Sequence, residues 1–354
     1  MKLTIYWHAQ LVRQAKNDRT IVNVNQAVIL RIYLRPHSTV QFIRRYAPRT
    51  VKHIMRYFLY FCRSLVGSLF IVSGLIKAND PIGFSFKLEE YFAEAALNLT
   101  FLEPFALALS ILACTAEVVL GFAVLVGGRM KLASVSLLVL TLFFGWLTAY
   151  TATCDPQGTY TMMENGIEVT KDVHCVTDCG CFGDAMKGSI GRSLTPWESF
   201  FKDLILFMFV LPIAIAAFRG KGIAWNNDRD DKVLLISGLV LVAFFCWVFT
   251  WSGPLTFTLA GLAGYLLLKR LITGPKVEWI VAGYVAALTL GFIWWCVEHN
   301  PVRDYRPYAV GRDLLEQKSM GRPPKTDVFL TYKNSNTGEQ MAFTTDTYPL
   351  HERS

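Results

Sequence analysis

Long runs of apolar residues, separated by polar segments, make up most of residues 57–297. Such runs are typical of transmembrane helices, because about 17–25 apolar residues are needed to cross the hydrocarbon core of a bilayer. The pattern predicts an all-α polytopic membrane protein with seven spans, of which the sixth is the shortest. The spans are 57–77, 104–126, 132–151, 197–217, 233–250, 254–268 and 278–297.

The polar segments predict a division of the chain into four parts. They are a basic cytoplasmic leader (1–56), a four-span domain (57–217), three further spans (233–297) and an extracytoplasmic tail (298–354). Met55 lies just before the first span, so it is an alternative start of translation that would remove the leader from the protein.

Two polar segments have a pattern of their own. Residues 328–332 and 340–344 have strand composition and flank an Asn-Ser-Asn-Thr-Gly turn sequence, which predicts a β-hairpin in the tail. Residues 84–92 mix aromatic with charged side chains, and this pattern favours an amphipathic helix on the outer membrane surface. An ordinary surface loop is the alternative for that segment.

Composition and charge agree with a membrane protein and predict its orientation. Charged residues make up 18% of the chain, whereas about 25% is usual in globular domains. The net charge of +8 comes from the leader, which holds eleven Lys or Arg and one acid, so it does not indicate nucleic-acid binding. Loops 127–131, 218–232 and 269–276 are also basic. By the positive-inside rule they face the cytoplasm, which predicts a bacterial inner-membrane protein with a cytoplasmic N-terminus and a periplasmic C-terminus.

The outward-facing loop 152–196 contains the sequence Asp-Cys-Gly-Cys-Phe-Gly-Asp at residues 178–184. A disulfide between Cys179 and Cys181 closes a small strained ring, and strained, exposed disulfides exchange readily. At the membrane surface such a pair can pass electrons between a soluble thiol partner and a lipid-soluble quinone. The flanking aspartates oppose this role, because a nearby negative charge raises the pKa of a thiol and disfavours the thiolate.

Two further cysteines in the loop, Cys154 and Cys175, leave other interpretations open. Four cysteines allow three pairings, so purely structural disulfides are one alternative. A metal site that includes His174 is another, but the spacing matches no standard structural-zinc pattern and we predict no metal. The sequence also lacks a P-loop, a dinucleotide fingerprint and a haem-attachment pattern, which argues against an ATPase, a dinucleotide enzyme and a c-type cytochrome.

Ionisable side chains inside the predicted spans are candidate functional groups, because placing a charge within a bilayer is costly. Arg63 and Glu117 each lie roughly 10–13 Å from the cytoplasmic side by helix rise, which predicts a buried ion pair. Lys202 and Asp203 in the fourth span lie close in depth to Lys77 at the outer end of the first. We predict that these five residues line the helix bundle, as packing devices, a proton pathway or the wall of a ligand cavity.

Several stretches resemble a known family of membrane proteins. Ser-Gly-Leu-Ile-Lys at residues 73–77, followed by Asp-Pro-Ile-Gly-Phe at 80–84, resembles the DoxX family of four-span membrane proteins. Cys-Gly-Cys-Phe-Gly at 179–183, followed by Pro-Trp-Glu-Ser-Phe at 196–200 and Lys202-Asp203, is similar to the related MauE branch, which is linked to maturation of methylamine dehydrogenase. Residues 296–308 are similar to a Bacteroidetes-type branch of DoxX-like proteins with an appended tail.

The resemblance implies a DoxX-like four-helix bundle and a redox role, because members of the wider family are associated with quinone-linked sulfur oxidation or disulfide formation. The leading hypothesis is an inner-membrane protein in extracytoplasmic thiol–disulfide or quinone-linked redox chemistry. Cys179 and Cys181 would be its redox pair, a quinone its candidate cofactor, and membrane lipid and a periplasmic thiol protein its partners. The alternatives are a non-enzymatic factor that recruits or helps mature a periplasmic partner, and a small-solute or metal transporter.

The distribution of basic loops gives a testable topology. A reporter fused after Lys221 should be active in the cytoplasm, and reporters fused after Gly158 or Gly311 should be active outside it, because basic loops stay on the cytoplasmic side. Cytoplasmic activity at Gly158, or labelling of positions 158 and 221 from the same side, would contradict this topology.

Overall fold

The helices of the protein are long and follow the apolar runs of the sequence. The computed structural model describes residues 49–155, 157–164, 167–173, 175–176, 180, 182, 185–186, 194–219, 228–272, 274, 276–305, 330–333 and 340–343. The helices are α1 Arg49–Asn79, α2 Pro81–Phe92, α3 Ala106–Val126, α4 Met130–Thr153, α5 Pro196–Phe218, α6 Asp228–Val248, α7 Gly253–Leu271 and α8 Val277–His299. A 3₁₀ helix, Thr100–Phe105, leads into α3.

Within the described residues, six helices are long and apolar enough to cross a membrane, and the predicted all-α polytopic fold is confirmed. They are Ile54–Asn79, Thr100–Val126, Met130–Thr153, Pro196–Phe218, Arg229–Val248 and Val277–His299. The remaining predicted span, residues 254–268, is a helix (α7) but is not among the six. Lys269 and Arg270 lie in its last turn, and threonines and glycines reduce its apolar content.

Helix ends form where the local sequence provides caps. Thr195 and Glu198 make a reciprocal capping box at the start of α5, with Pro196 in the first turn. Asp80 accepts a hydrogen bond from the Gly83 backbone N–H, so the predicted turn at residues 80–83 is the N-cap of α2. The segment predicted as amphipathic is therefore helical, and its aromatic residues Phe84 and Tyr91 are buried against the bundle.

The four long helices α1, α3, α4 and α5 pack as two antiparallel pairs, α1 with α3 and α4 with α5. Their shared core consists of interlocking aliphatic and aromatic side chains from all four helices. The fully or nearly fully buried members are Cys62, Val66, Phe70, Val124, Met130, Ala133, Leu137, Val210, Ile213 and Ala217. This core holds α5 in register with α1, which matters for the polar cleft described below.

Glycines bring the backbones of α1 and α3 into direct contact. A Cβ atom on Gly67 would lie 2.9 Å from the carbonyl oxygen of Gly121, and a Cβ on Gly121 would lie 2.7 Å from the carbonyl oxygen of Gly67. Gly74, two turns further along α1, packs in the same way against Glu117 and Val118. Small residues permit such close helix approach within membranes, where packing rather than the hydrophobic effect drives helix association.

Helices α6–α8 pack against α1 and α3 through polar contacts as well as apolar ones. Ser64 and Ser237 share a 2.6 Å hydrogen bond, and the Ser68 hydroxyl donates to the carbonyl oxygen of Gly238 at 3.0 Å. Near the start of α6, the Tyr265 hydroxyl donates to Asp231 at 2.7 Å. Hydrogen bonds between helices are favourable in a lipid environment, which offers these groups no water.

Contacts at the two ends of the bundle show that α7 runs from one end of the bundle to the other, so that α8 starts again at the first end. At the end that carries the basic turns, which we call the basic end, the Arg129 backbone N–H donates to Glu278 at the start of α8. At the opposite end, the loop end, Asn79 exchanges two hydrogen bonds with the backbone of Arg303, which follows α8. The chain after α8 therefore begins on the same side as the loop between α1 and α3.

Two small hairpins complete the described structure. Strands β1 (Thr159–Glu164) and β2 (Ile167–Asp172) pair antiparallel within the cysteine loop. In the tail, β3 (Leu330–Lys333) and β4 (Gln340–Phe343) pair antiparallel, which confirms the predicted tail hairpin.

The glycine contact predicts the effect of adding one methyl group. Gly121→Ala should destabilise the protein by about 1–3 kcal/mol, because the new Cβ meets backbone atoms that cannot move aside independently. Gly145→Ala on α4 is the matched control, since nothing lies within 4 Å of its added Cβ, and higher helix propensity should make it neutral or slightly stabilising. Unfolding of both variants in detergent measures the difference; equal stability would contradict the close contact.

Candidate functional site

A buried ion pair joins α1 to α3 near the loop end of the bundle. The Lys77 ammonium contacts a carboxylate oxygen of Glu117, and the two side chains are only 3% and 2% exposed. Ser73 completes the group, because its hydroxyl accepts from Lys77 at 3.2 Å and donates to the other Glu117 oxygen at 3.1 Å. Each charge is thus met by the opposite charge and by a hydroxyl, as burial of ions requires.

The predicted partnership of Glu117 with Arg63 is therefore wrong. The glycine contacts set Gly67 opposite Gly121 and Gly74 opposite Glu117, so Arg63 lies near the far end of α3. Helical side chains lean toward the helix N-terminus, which brings Lys77 back by one turn onto Ser73 and Glu117. Counting depth from assumed span ends could not reveal this register.

Arg63 has a different setting at the basic end. It is 1% exposed, and its guanidinium donates to the carbonyl oxygens of Val124 at 2.9 Å and Leu125 at 3.2 Å. These carbonyls belong to the last turn of α3, where the helix leaves such groups unsatisfied and where a positive charge is favourable. Arg63 thus caps α3 and lies apart from the other predicted site residues.

A second ion pair lies on α5 and faces the first. Lys202 contacts Asp203, whose other carboxylate oxygen accepts a hydrogen bond from the Thr148 hydroxyl of α4 at 3.2 Å. Asp203 is buried, whereas Lys202 is partly exposed. One helical turn before Asp203, the fully buried Ser199 hydroxyl has no hydrogen-bond partner; it is the only such side-chain group within the described residues.

The two ion pairs line one cleft of about 30 Å³, large enough for a water molecule or part of a ligand. Aromatic rings form part of its wall, with the Lys77 ammonium 5.1 Å from the Phe144 ring centre and the Lys202 ammonium 5.6 Å from the Phe182 ring centre. The further lining residues are Leu69, Phe70, Ser73 and Leu206. The cleft therefore combines two cation–carboxylate pairs with flat apolar surfaces.

Of the described residues of the cysteine loop, Phe182 lines this cleft. Cys154 and Cys175 form a disulfide, with Cα atoms 5.8 Å apart, so one of the alternative pairings is present. The predicted redox pair, Cys179 and Cys181, lies outside the described residues, but Gly180 and Phe182 are described. Gly180 has a φ of +62° and packs against Lys87 and Phe84 of α2, while Phe182 is buried and lines the cleft.

The backbone at Gly180 is in the left-handed region, which explains why a glycine lies between the two cysteines. At φ +62° a residue with a side chain is strained, and a Cβ at Gly180 would also approach Lys87 Cγ at 2.9 Å. Glycine is required there on both counts. The remaining cysteines, Cys62, Cys114, Cys246 and Cys296, are reduced and buried among the helices, which suits packing.

Several residues that line the cleft or bond its ions were not predicted as site residues from the sequence. Ser73 could have been found, since it lies four residues before Lys77 and shares its helix face. Thr148 and Phe144 gave no signal, because a threonine and a phenylalanine are ordinary within an apolar span. Phe182 was noted only as part of the cysteine sequence, and nothing in the pattern placed it inside the bundle.

The ion pair predicts a specific pattern of instability. Lys77→Met should leave the Glu117 carboxylate buried without its cation and cost about 3–5 kcal/mol, as for other broken buried pairs. The double variant Lys77→Met/Glu117→Leu should recover much of that loss, because no uncompensated charge remains. Unfolding of the single and double variants in detergent measures this coupling. Equal loss in both would show that the two residues do not depend on one another.

Comparison with known proteins finds a family match in the first part of the chain. Residues 55–157 match the family model described as methylamine utilisation protein MauE, which covers α1 to α4 and Cys154. Lys77, Glu117 and Thr148 lie within the match, whereas Lys202, Asp203 and the Cys-Gly-Cys sequence lie beyond it. No curated protein and no solved structure matches the chain significantly.

The match confirms the predicted resemblance to MauE and agrees with the fold, since the matched helices form three of the four members of the central bundle. It does not distinguish a DoxX-type branch. The chain is a multi-pass membrane protein whose residues 55–157 match the MauE family model.

Proposed function

We propose that the protein takes part in thiol–disulfide chemistry on the extracytoplasmic side of the bacterial inner membrane, with Cys179 and Cys181 as the exchanging pair and a quinone as the electron acceptor. One observation carries the proposal: Phe182, bonded directly to Cys181, lines the same cleft as Lys77, Glu117, Lys202 and Asp203. The cysteine sequence is thereby joined to a charged cleft within the bundle.

The cleft has the chemistry that a quinone headgroup needs. The aromatic rings of Phe144 and Phe182 offer flat apolar contact, and ammonium groups at Lys77 and Lys202 can donate hydrogen bonds to carbonyl oxygens. Positive charge there would stabilise the negative charge that develops on those oxygens during reduction.

The proposed reaction balances as two two-electron steps. First, a dithiol of a periplasmic protein reduces the Cys179–Cys181 disulfide through a mixed disulfide, and the partner leaves with its own disulfide formed. Second, the two thiols give two electrons and two protons to the quinone, which becomes a quinol, and the Cys179–Cys181 bond forms again.

The Cys154–Cys175 bridge also supports a different candidate function. A disulfide and the β1–β2 hairpin between its cysteines give the loop a fixed surface. A non-enzymatic factor that recruits or helps mature a periplasmic partner could use such a surface, and the methylamine utilisation role in the MauE description is consistent with this alternative.

A trapping experiment distinguishes the two functions. In cells, Cys181→Ser should accumulate a mixed disulfide between Cys179 and a partner protein, because the second thiol that normally releases the partner is missing. In isolated membranes, added quinone should reoxidise the reduced wild-type pair. Lys202→Gln should slow that reoxidation without preventing partner trapping, because it alters the cleft and leaves both cysteines in place.

The double variant Cys154→Ser/Cys175→Ser is the matched control for losing a bridge. It should lower the amount of protein but trap no partner. If Cys179 and Cys181 instead stay fully oxidised under mild reductant, and Cys181→Ser traps nothing, the redox function is excluded and the recruiting function is favoured.

A further inference from the structure

A second cavity lies at the basic end of the bundle, away from the charged cleft. It is a groove of about 100 Å³ between α3, the start of α4 and the first turns of α8. Its floor is apolar and includes Val119, Phe122, Ala123, Ala282 and Val285. Among its lining residues only Arg129 and Glu278 carry charges, so the groove is unsuited to a polar headgroup inside.

The rim of this groove is held in an unusual conformation. Arg129 has a φ of +43°, which is strained for a residue with a side chain. The Glu278 carboxylate accepts the Arg129 backbone N–H at 2.8 Å and lies 3.5 Å from its guanidinium, which also sits 5.3 Å from the Trp279 ring centre. These contacts fix a half-exposed cation at the mouth of an apolar groove.

Depth along the helices places the groove just beneath the membrane surface. The lining residues of α8 fall between Glu278 and Val285, within about 13 Å of the start of that helix by its rise. The hydrocarbon core is about 30 Å thick, so the groove stays within one leaflet. Leu132 and Trp279 stand at its edge, 52% and 53% exposed, and Trp is common at membrane interfaces.

Charge at the mouth favours a negative headgroup. Arg129 is followed in sequence by exposed Lys131, and exposed Lys276 comes two residues before Glu278. Arg129, Lys131 and Lys276 together outnumber the single carboxylate of Glu278, so the region around the rim has a net positive charge. Clusters of basic residues at a membrane surface attract anionic lipids.

We propose that this groove binds one acyl chain of an anionic phospholipid, with Arg129, Lys131 and Lys276 facing its phosphate. The lipid would fill the space between α3 and α8 and so join a helix within the MauE match to the last of the long helices. This site is separate from the charged cleft at the loop end, and its test does not depend on any redox activity.

The full-length protein in neutral detergent provides the test, with native mass spectrometry as the readout. Dioleoylphosphatidylglycerol should bind more tightly than dioleoylphosphatidylcholine, which has the same chains. Arg129→Gln should weaken the phosphatidylglycerol complex about fivefold, as expected for one basic residue near a lipid surface. Ala282→Trp should abolish the preference, because the indole fills the groove. Ala287→Trp, on an exposed face of the same helix, should leave the preference unchanged.

Photocrosslinking of the wild-type protein is a second test, and it does not depend on the Ala282→Trp variant. Phosphatidylglycerol with a photoreactive acyl chain should crosslink the wild-type protein within residues 119–133 and 277–285. Glycerol phosphate should not displace it, since the chain as well as the headgroup contributes to binding. Equal binding of the two lipids, unchanged binding by a folded Ala282→Trp variant, crosslinks elsewhere, or displacement by glycerol phosphate would each overturn the proposal.

Discussion

The contact of α1 with α3 is the constraint on which the rest of the molecule depends. Gly67, Gly74 and Gly121 let the two backbones meet, and this closeness sets the register that puts Lys77 beside Glu117. Two ions buried this completely are stable only when each satisfies the other, because little of either side chain is exposed to solvent. The pair then fixes one wall of the cleft, and α5 supplies the other wall through Lys202 and Asp203. A shift of one helical turn between α1 and α3 would separate Lys77 from Glu117, and the cleft would lose this wall.

The two ends of the α1–α3 helix pair carry different chemistry. At the loop end, Phe182 of the cysteine loop lines the charged cleft. At the basic end Arg63 caps the last turn of α3, and the apolar groove lies between α3 and α8. Because α3 contributes to all of these features, substitutions that reshape it should affect the two ends together.

The sequence predicted the membrane-spanning helices well, because the apolar runs are long and a bilayer admits few other structures. It also predicted the tail hairpin, from strand composition on either side of a turn cluster. The partner of Glu117 could not be predicted, since several cations lie within reach on α1 and only the glycine contacts select Lys77 over Arg63. Phe144, which lines the cleft, and Thr148, which bonds Asp203, could not be predicted for a related reason. Their chemistry is ordinary within an apolar span, and only the packing of α4 on α5 brings them to Lys77 and Asp203.

The Cys154–Cys175 disulfide limits how far the Cys-Gly-Cys sequence can extend from the end of α4. Without it, the chain from the end of α4 to Gly180 would comprise 26 residues of loop; with it, Gly180 is only five residues from a point fixed next to α4. Five extended residues span at most about 18 Å. The Cys-Gly-Cys sequence therefore cannot extend further than this from the disulfide to reach a partner protein. A partner would have to approach the membrane surface and present its reactive group on a protruding part of its own structure.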